Sequence, residues 1–161
     1  MLNCLYKLFF STFRGVKFGK RVKILFPCNL YNCTIDDDVL ISRYVEVQND
    51  CYIGKRTRIS SHSFIAAHTS IGNDVFIAHG VQICNDKNPS VNNNDWACEP
   101  VTIQQDSFVG SGSVLNAGVI MYKGAKLGCG SVLTKNIPAD ETWFGNPAKK
   151  YGDSQLIGFQ K

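Results

Sequence analysis

Residues 35–83 read IDDDVL ISRYVE VQNDCY IGKRTR ISSHSF IAAHTS IGNDVF IAHGVQ I, with an aliphatic residue at every sixth position. The period resumes at Ile103 and continues to Leu133, and a weaker run from Phe18 to Leu30 lies one residue out of phase. The fifth position of each hexad is mostly small or β-branched, and the second is often glycine. Neither a helix, with period 3.6, nor a strand, with period 2, explains a period of six. The pattern predicts short strands joined by tight bends and coiled around a common core.

Three hexads make one turn of the predicted coil. VGSGSVL (109–115) and LGCGSVL (127–133) match at five of seven positions when they are shifted by three hexads. Gly54 and Gly72 are separated by the same interval. Parallel strands stack about 4.8 Å apart, so 18 recognisable hexads predict a triangular parallel β-prism of about six turns. The fold class is all-β.

One segment must leave the prism. Ile83 and Ile103 are separated by 20 positions, which is not a multiple of six, and the intervening residues are rich in Asn and Pro. Residues 84–102 are therefore predicted to be a protruding loop, and loops on a rigid scaffold often carry function. The predicted organisation is a helical or irregular lead-in over residues 1–17, a β-helix domain over residues 18–138, and a C-terminal extension over residues 139–161 that packs back on the prism.

Charge and composition exclude some classes of function. With 161 residues, of which 44% are hydrophobic, the chain is typical of one globular domain. Six Lys and Arg residues precede Asp36, and the rest of the chain has 11 basic and 13 acidic residues, so the net charge of +4 belongs to the first part alone. We therefore expect no nucleic-acid partner.

Cysteine usage and hydropathy bear on location. The seven cysteines are odd in number, contain no Cys-x-x-Cys pair and follow no secretory signal, which indicates reduced thiols and a cytoplasmic protein. The apolar stretch at residues 5–13 is short and interrupted by polar residues. It does not suffice to span a bilayer, and we expect no membrane contact.

Stacking by three hexads places side chains in columns. The three columns beside the loop are Arg43, Ser61 and His79; Asn49, Ala67 and Asn85; and Asp50, His68 and Asp86. In the third column the histidine has a carboxylate about one strand spacing above and below it, which favours its protonated form. His79, Asn85 and Asp86 are predicted to gather at the mouth of the loop.

With these features the chain resembles the hexapeptide-repeat acyltransferases. The resemblance covers residues 18–151 and includes the ending VLTKNIPADETWFGNPAKKY (132–151). It implies a left-handed β-helix and a homotrimer, with acetyl-CoA held in clefts between neighbouring subunits.

Residues 61–89 resemble one group of enzymes within this family more than the others. SHSFIAAHTSIGNDVFIAHGVQICNDKNP is similar to nucleotide-sugar N-acetyltransferases that act on dTDP- or UDP-linked 3-amino sugars. This implies transfer of acetyl from acetyl-CoA to the amine of a nucleotide-linked amino-deoxysugar in glycan biosynthesis. It also implies that Asn85 and Asp86 lie at the amine and acetyl group, with His79 as hydrogen-bonding partner or proton acceptor. The other predicted substrate contacts are His62, His68, Arg43, Asn88 and Pro89.

The chemistry of the acceptor separates three hypotheses. An amine that loses its proton near neutral pH is already a good nucleophile, so the enzyme mainly positions it and stabilises the oxyanion. A hydroxyl needs a general base, and residues 84–102 contain no histidine. The loop therefore favours N-acetylation. O-acetylation of a sugar hydroxyl, with His79 as base, is the first alternative, and a non-catalytic scaffold trimer is the second.

The later turns are the expected platform for acetyl-CoA. Small residues there allow a pantetheine arm to lie along the backbone, and lysines are the expected phosphate partners. The predicted contacts are Ser111, Gly112, Ala117, Gly118, Gly130, Lys135 and Lys149, with Lys150 beside them. The histidines at positions 62, 68 and 79 differ in spacing from the zinc ligands of the carbonic anhydrases that share this prism, so no metal is predicted.

Overall fold

Short strands, most of them two residues long, wind into a parallel coil in the computed structural model, which describes residues 12–92 and 97–152. No helix occurs in this part of the chain. Successive turns contribute strands to three faces, and the strands within a face pair in parallel except for the last two of the chain; this confirms the predicted all-β prism.

The three faces are defined by their strands. Face 1 contains Thr12–Arg14 (β1), Asn29–Tyr31 (β4), Glu46–Val47 (β7), Phe64–Ile65 (β10), Gln82–Ile83 (β13), Val114–Leu115 (β16) and Val132–Leu133 (β19). Face 2 contains Lys17–Phe18 (β2), Thr34–Ile35 (β5), Tyr52–Ile53 (β8), Ser70–Ile71 (β11), Thr102–Ile103 (β14) and Ile120–Met121 (β17). Face 3 contains Lys23–Ile24 (β3), Leu40–Ile41 (β6), Arg58–Ile59 (β9), Phe76–Ile77 (β12), Phe108–Val109 (β15), Lys126–Leu127 (β18), Thr142–Gly145 (β20) and Ala148–Lys150 (β21).

The pairing register confirms three hexads per turn. Ile65 pairs with Val47 in the turn below and with Ile83 in the turn above, three hexads away in each direction. The early run is out of phase because the bend between Leu30 and Ile35 has one residue fewer. Asn32 forms this bend with a φ of 49°.

The coil is longer than predicted. Face 1 has seven strands, so there are about seven turns where six were predicted. Thr12–Arg14 and Lys17–Phe18 already pair with the next turn, which corrects the boundary placed after residue 17. Phe18 already belonged to the predicted early run, but Thr12–Arg14 was missed because this strand has no buried aliphatic residue. The predicted lead-in over residues 1–11 lies outside the described residues.

The C-terminal extension continues the coil before it turns back. Thr142–Gly145 pairs in parallel with β18 and extends face 3, and Ala148–Lys150 pairs antiparallel with β20. The remainder of the predicted extension, residues 153–161, lies outside the described residues.

The core runs along the axis of the coil. From β4 to β19 the second residue of each strand points inward, and Ile65, Ile71 and Ile77 are fully buried. The small fifth position also points inward, and its hydroxyls bond to backbone carbonyls of the turn above: Thr57 Oγ1 donates to Gly72 O at 2.8 Å and Ser113 Oγ donates to Gly128 O at 2.8 Å. A buried hydroxyl needs such a partner, which explains why serine and threonine are accepted there.

The described cysteines lie in different surroundings. Cys28, Cys33 and Cys51 are buried in the core, and Cys129 is exposed. Burial raises the pKa of the Cys33 thiol to about 11 and that of the Cys51 thiol to about 12. Within residues 12–92 and 97–152 we find no helix long and apolar enough to cross a membrane. The cytoplasmic location stays a prediction.

Candidate active site

Successive faces of the prism meet at three edges, each a column of stacked bends. The histidine edge, between faces 3 and 1, consists of Arg43, Ser61, His79, Ser111 and Cys129. The loop edge, between faces 1 and 2, consists of Asn49, Ala67, Asn85 and Ala117. The charged edge, between faces 2 and 3, consists of Asp37, Lys55, Asn73, Gln105 and Lys123. The first two predicted columns therefore exist as predicted.

The histidine edge changes character at His79. Below it, the rings of Tyr44 and His62 stack with centroids 4.8 Å apart. The position that His62 occupies is Gly80 on the bend of His79 itself, and it is Gly112 and Gly130 on the two bends above. A Cβ added at any of these glycines would meet nothing within 4 Å. Residues such as His62 adopt the same positive φ, so the backbone does not demand glycine here. The glycines instead leave these bend positions bare of side chains along the upper half of this edge, with the exposed His79 at its lower end.

The loop interrupts the loop edge at Asn85. Ile103 pairs with Ile71, 32 positions earlier instead of the regular three hexads, and the surplus forms the loop. Its two ends are tied together because the Glu99 N–H donates to the Asn85 carbonyl at 2.9 Å. The Asn85 side chain is half-buried, and its Nδ2 donates to Ala67 O at 3.4 Å. An amide nitrogen has two hydrogens, so a second one remains for a ligand.

An ion pair closes the base of the loop. Lys87 Nζ pairs with Glu99 Oε2 directly over Gly118, whose N–H donates to Glu99 O at 2.9 Å. A Cβ at Gly118 would lie 2.9 Å from that carboxylate, so glycine makes room for the pair. The chain therefore leaves and re-enters the prism at a fixed position. Asn88 and Pro89 lie beyond this base and are exposed.

The prediction that His79, Asn85 and Asp86 gather at one place is wrong within a single chain. His79 and Asn85 lie on different edges, at opposite ends of β13, because a step of six residues always advances the chain by one face. Asp86 has already turned into the loop, where its Oδ1 accepts from the Asn88 N–H at 2.8 Å.

The predicted column of Asp50, His68 and Asp86 is therefore incomplete. His68 Nδ1 lies 3.8 Å from Asp50 Oδ2, and both side chains are exposed. Asp86 makes no ion pair with His68 in the described structure, because the coil stops being regular at Asn85. Only one of the two predicted carboxylates therefore lies beside His68.

The predicted acetyl-CoA residues separate into three places. Ser111, Gly112 and Gly130 lie on the histidine edge directly above His79. Ala117 and Gly118 lie on the loop edge, where Ala117 is buried, with 1% of its surface exposed. The lysines form a third group at the top of the prism. Only the first of these groups lies along the glycine bends above His79.

The lysine pocket is lined by Lys135, Lys149, Lys150 and Trp143 and has a volume of about 340 Å³. Lys150 Nζ binds Glu141 Oε1 at 2.7 Å, and Trp143 Nε1 donates to the same carboxylate at 2.8 Å. These two bonds, that of Lys150 foremost, lower the pKa of Glu141. Lys135 and Lys149 make no side-chain ion pair with any described residue, so two cations remain for an anionic ligand. Trp143 was missed, although it lies in the terminal pattern that carried the resemblance.

Some charges elsewhere on the described surface are neutralised in pairs. Beside the charged edge, Arg56 binds both oxygens of Asp74 at 2.7 and 2.6 Å, and Arg21 binds Asp38 in the same way at 2.6 Å. Each arginine lowers the pKa of its partner carboxyl chiefly through these hydrogen bonds. These arginines are therefore occupied with structural pairs.

The three histidines do not form a cluster. His62 and His79 lie on the histidine edge in successive turns, and His68 lies on the loop edge. Among residues 12–92 and 97–152, no three His, Cys, Asp or Glu side chains lie together in a way that could hold a metal ion.

Comparison with known sequences gives short matches. No family model matches the chain. The mitochondrial gamma carbonic anhydrase 2 of Arabidopsis thaliana is 41% identical over 61 residues, which is 35% of this chain and 22% of that protein. The aligned part thus spans about a fifth of that relative's length.

Comparison with solved structures covers most of the chain. A hexapeptide-repeat acetyltransferase of Vibrio cholerae superposes with a TM-score of 0.59 and 20% identity, over 92% of this chain and 77% of that one. The maltose O-acetyltransferase of Clostridium difficile gives 0.62 and 21%, over 86% and 68%. The N-acyltransferase AntD of Bacillus cereus, solved with dTDP and coenzyme A, gives 0.56 and 18%, over 84% and 82%. The fold is the left-handed β-helix of these acetyltransferases. The homotrimer remains a prediction.

Proposed function

We propose that the protein transfers acetyl from acetyl-CoA to the amine of a nucleotide-linked amino-deoxysugar. The observation that carries this proposal is the run of unobstructed glycine bends at Gly80, Gly112 and Gly130, which ends at His79. A surface whose bend positions are bare of side chains lets a thin, flexible arm lie against the backbone, and pantetheine has that shape. Structures of the same fold have been solved with acetyl-CoA or coenzyme A bound, which supports this cosubstrate.

The lysine pocket suits the other end of acetyl-CoA. It lies at the top of the prism, and Gly145 of its terminal strand donates to Ser131 Oγ, on the same bend as Gly130, at 3.0 Å. The free ammonium groups of Lys135 and Lys149 match the phosphates, and the indole of Trp143 offers a flat surface for the adenine. Pantetheine would then descend the histidine edge from this pocket towards His79.

A three-fold assembly would bring His79 and Asn85 together. The two residues lie at opposite ends of face 1. If face 1 of each chain faces the three-fold axis, the histidine edge of one chain lies beside the loop edge of the next. The outward side chains on the upper part of face 1 support this orientation because none is charged. They are Phe64, Gln82, Val114 and Val132.

The shared site has the groups that amide formation needs. The amine attacks the thioester carbonyl, so a C–N bond forms and the C–S bond breaks. Asn85 Nδ2 donates to the oxyanion of the tetrahedral intermediate. The ammonium proton passes through the His79 imidazole to the departing coenzyme A thiolate, which leaves as the thiol.

A thiol-release assay tests the reaction. Acetyl-CoA is supplied with a panel of dTDP- and UDP-linked amino sugars, and with analogues that carry a hydroxyl in place of the amine. We expect coenzyme A release with at least one amino sugar and none with its hydroxyl analogue. Turnover of hydroxyl analogues alone would replace the proposal by O-acetylation, and no turnover with any acceptor would favour the scaffold trimer.

Mixed subunits test whether the site is shared. We expect His79→Asn and Asn85→Ala each to lose most of the turnover, whereas Asn49→Ala, two turns below Asn85 on the loop edge, should retain it. Coexpressed in equal amounts, the two inactive variants should recover about a quarter of wild-type turnover, because a site then works only when each neighbour supplies its intact residue. Activity no higher than that of the parents would place both groups in one chain and refute the shared site.

A further inference from the structure

Two aromatic rings lie on the outer surface of face 3, where Phe76 is exposed and Phe108 is half-buried. Phe76 and Phe108 are direct partners in adjacent strands, and their rings stack with centroids 5.8 Å apart and an angle of 24° between planes. Phe76 is 39% exposed. Contact between aromatic rings and water is unfavourable, so an exposed aromatic patch often marks a binding site. Phenylalanine rings stack well on other flat aromatic groups. We call this pair the phenylalanine ledge.

Unpaired cations border the ledge on both sides. Arg58 precedes Phe76 in the same column, and Lys126 follows Phe108. Both are exposed, and neither makes an ion pair or side-chain hydrogen bond with any residue that the structure describes. Arg56, only two residues before Arg58, is by contrast fully engaged with Asp74. The surface beside the ledge is thus positively charged and ready to bind an anion.

The ledge lies on the same turn as His79. Phe76 precedes His79 by three residues, so their Cα atoms are at most about 10 Å apart along an extended backbone. In a nucleoside-diphosphate sugar, the ribose and the two phosphates separate the base from the hexose and are long enough to cross this distance. A base on the ledge would therefore leave the hexose at the histidine edge.

We propose that the phenylalanine ledge holds the nucleobase of the sugar nucleotide and that Arg58 binds its diphosphate. Stacking on an aromatic side chain accepts any base, and an arginine fork matches a phosphate. The lysine pocket supplies a separate place for the nucleotide of acetyl-CoA, so the ledge is assigned to the acceptor. This inference rests on the proposed function and names the part of the protein that recognises the nucleotide.

Direct binding tests the ledge without relying on turnover. Isothermal titration calorimetry measures the affinity of the protein for dTDP, for UDP and for coenzyme A. We expect Phe76→Ala and Arg58→Ala each to lower the affinity for whichever of dTDP and UDP binds the wild-type protein more tightly. The expected loss is about tenfold, which is the effect of losing one stacking or phosphate contact. The affinity of these two variants for coenzyme A should stay within about twofold of the wild-type value. Arg56→Ala is the matched control, and its affinities for dTDP, UDP and coenzyme A should all stay within the same limit. In turnover, the same two variants should raise KM for the sugar nucleotide and leave kcat and KM for acetyl-CoA unchanged.

Four outcomes would overturn the assignment. Unchanged dTDP and UDP affinities in both variants would remove the ledge while leaving the acetyltransferase proposal intact. A loss of coenzyme A affinity instead would assign the ledge to the cosubstrate. A smaller oligomer on gel filtration for Phe76→Ala would make the ledge a subunit interface. Acetylation of amino sugars by a wild-type protein that binds neither nucleotide would keep the amine chemistry and exclude a nucleotide site.

Discussion

Replacing Gly110 by alanine tests how closely the turns of the prism stack. An alanine Cβ at this position would lie 2.6 Å from Gly128 C and 2.7 Å from Cys129 Cα, where ordinary contact begins at 3.4 Å. Both atoms belong to the backbone of the next turn, so no side-chain rotation relieves the overlap. The two turns must move apart by about 1 Å at this bend.

The cost follows from the bonds that join the two turns there. The Gly110 N–H donates to Leu127 O at 2.8 Å, and Ser113 Oγ donates to Gly128 O at 2.8 Å. Overpacking typically costs about 1–3 kcal/mol, and each weakened hydrogen bond adds about 1 kcal/mol. We therefore expect Gly110→Ala to lower the free energy of unfolding by about 4 kcal/mol.

Gly112→Ala is the matched control. Gly112 has a φ of 68°, and a Cβ there would meet nothing within 4 Å. Its substitution costs only the left-handed backbone conformation, about 1 kcal/mol after the loss of unfolded-state freedom. Urea unfolding followed by circular dichroism, at one protein concentration for all variants, measures the difference. Equal midpoints for the two variants would refute the close stacking of turns at Gly110.

Two further predictions concern titratable groups. Arg56 lowers the pKa of Asp74 in the folded protein below 3.8, its ordinary value in the unfolded chain. The pair therefore stabilises the folded state at pH values above 3.8, and this contribution is lost as the pH falls through the lower pKa of the folded protein. We expect the urea midpoint to fall between about pH 4 and pH 2, and to fall less in Asp74→Asn; identical pH profiles would contradict this. In a Cys4→Ser background at about pH 8, a thiol reagent should label the exposed Cys129 within minutes and Cys51, with a pKa of about 12, only on unfolding. Equal labelling rates in the native protein would show that Cys51 is not buried.

Most of the fold was predictable because its information is local and repeated. An inward aliphatic residue every six positions is enough to specify short strands and bends, and successive regular turns are related by a shift of three hexads. For this reason the column of Arg43, Ser61 and His79 is predictable from the sequence. The separation of His79 from Asn85 was also within reach, since six residues advance the chain by one face. The first turn was not, because Thr12–Arg14 lacks the buried aliphatic residue that marks the others.

The candidate site was less predictable, because part of it depends on where the loop re-enters the prism. Asp86 turns away from His68 to cap its own loop, and no hexad rule describes that turn. Lys135 and Lys149 meet Trp143 only because the last strand folds back on its neighbour. Side chains brought together by a return of the chain have no fixed spacing in the sequence.

By itself the sequence determined the coil, its three faces, the residues that point inward and the bends that carry polar groups, because these follow from a period that each turn repeats. Only the tertiary structure decided which turns lie against each other across the loop. Phe76 and Phe108 are 32 positions apart, which is not a whole number of three-hexad turns, and they become neighbours because the loop returns the chain to the edge that it left. The length of an irregular segment does not determine which strands pair on either side of it. That pairing depends on where the two ends of the segment are joined, and here they are joined by the hydrogen bond from the Glu99 N–H to the Asn85 carbonyl.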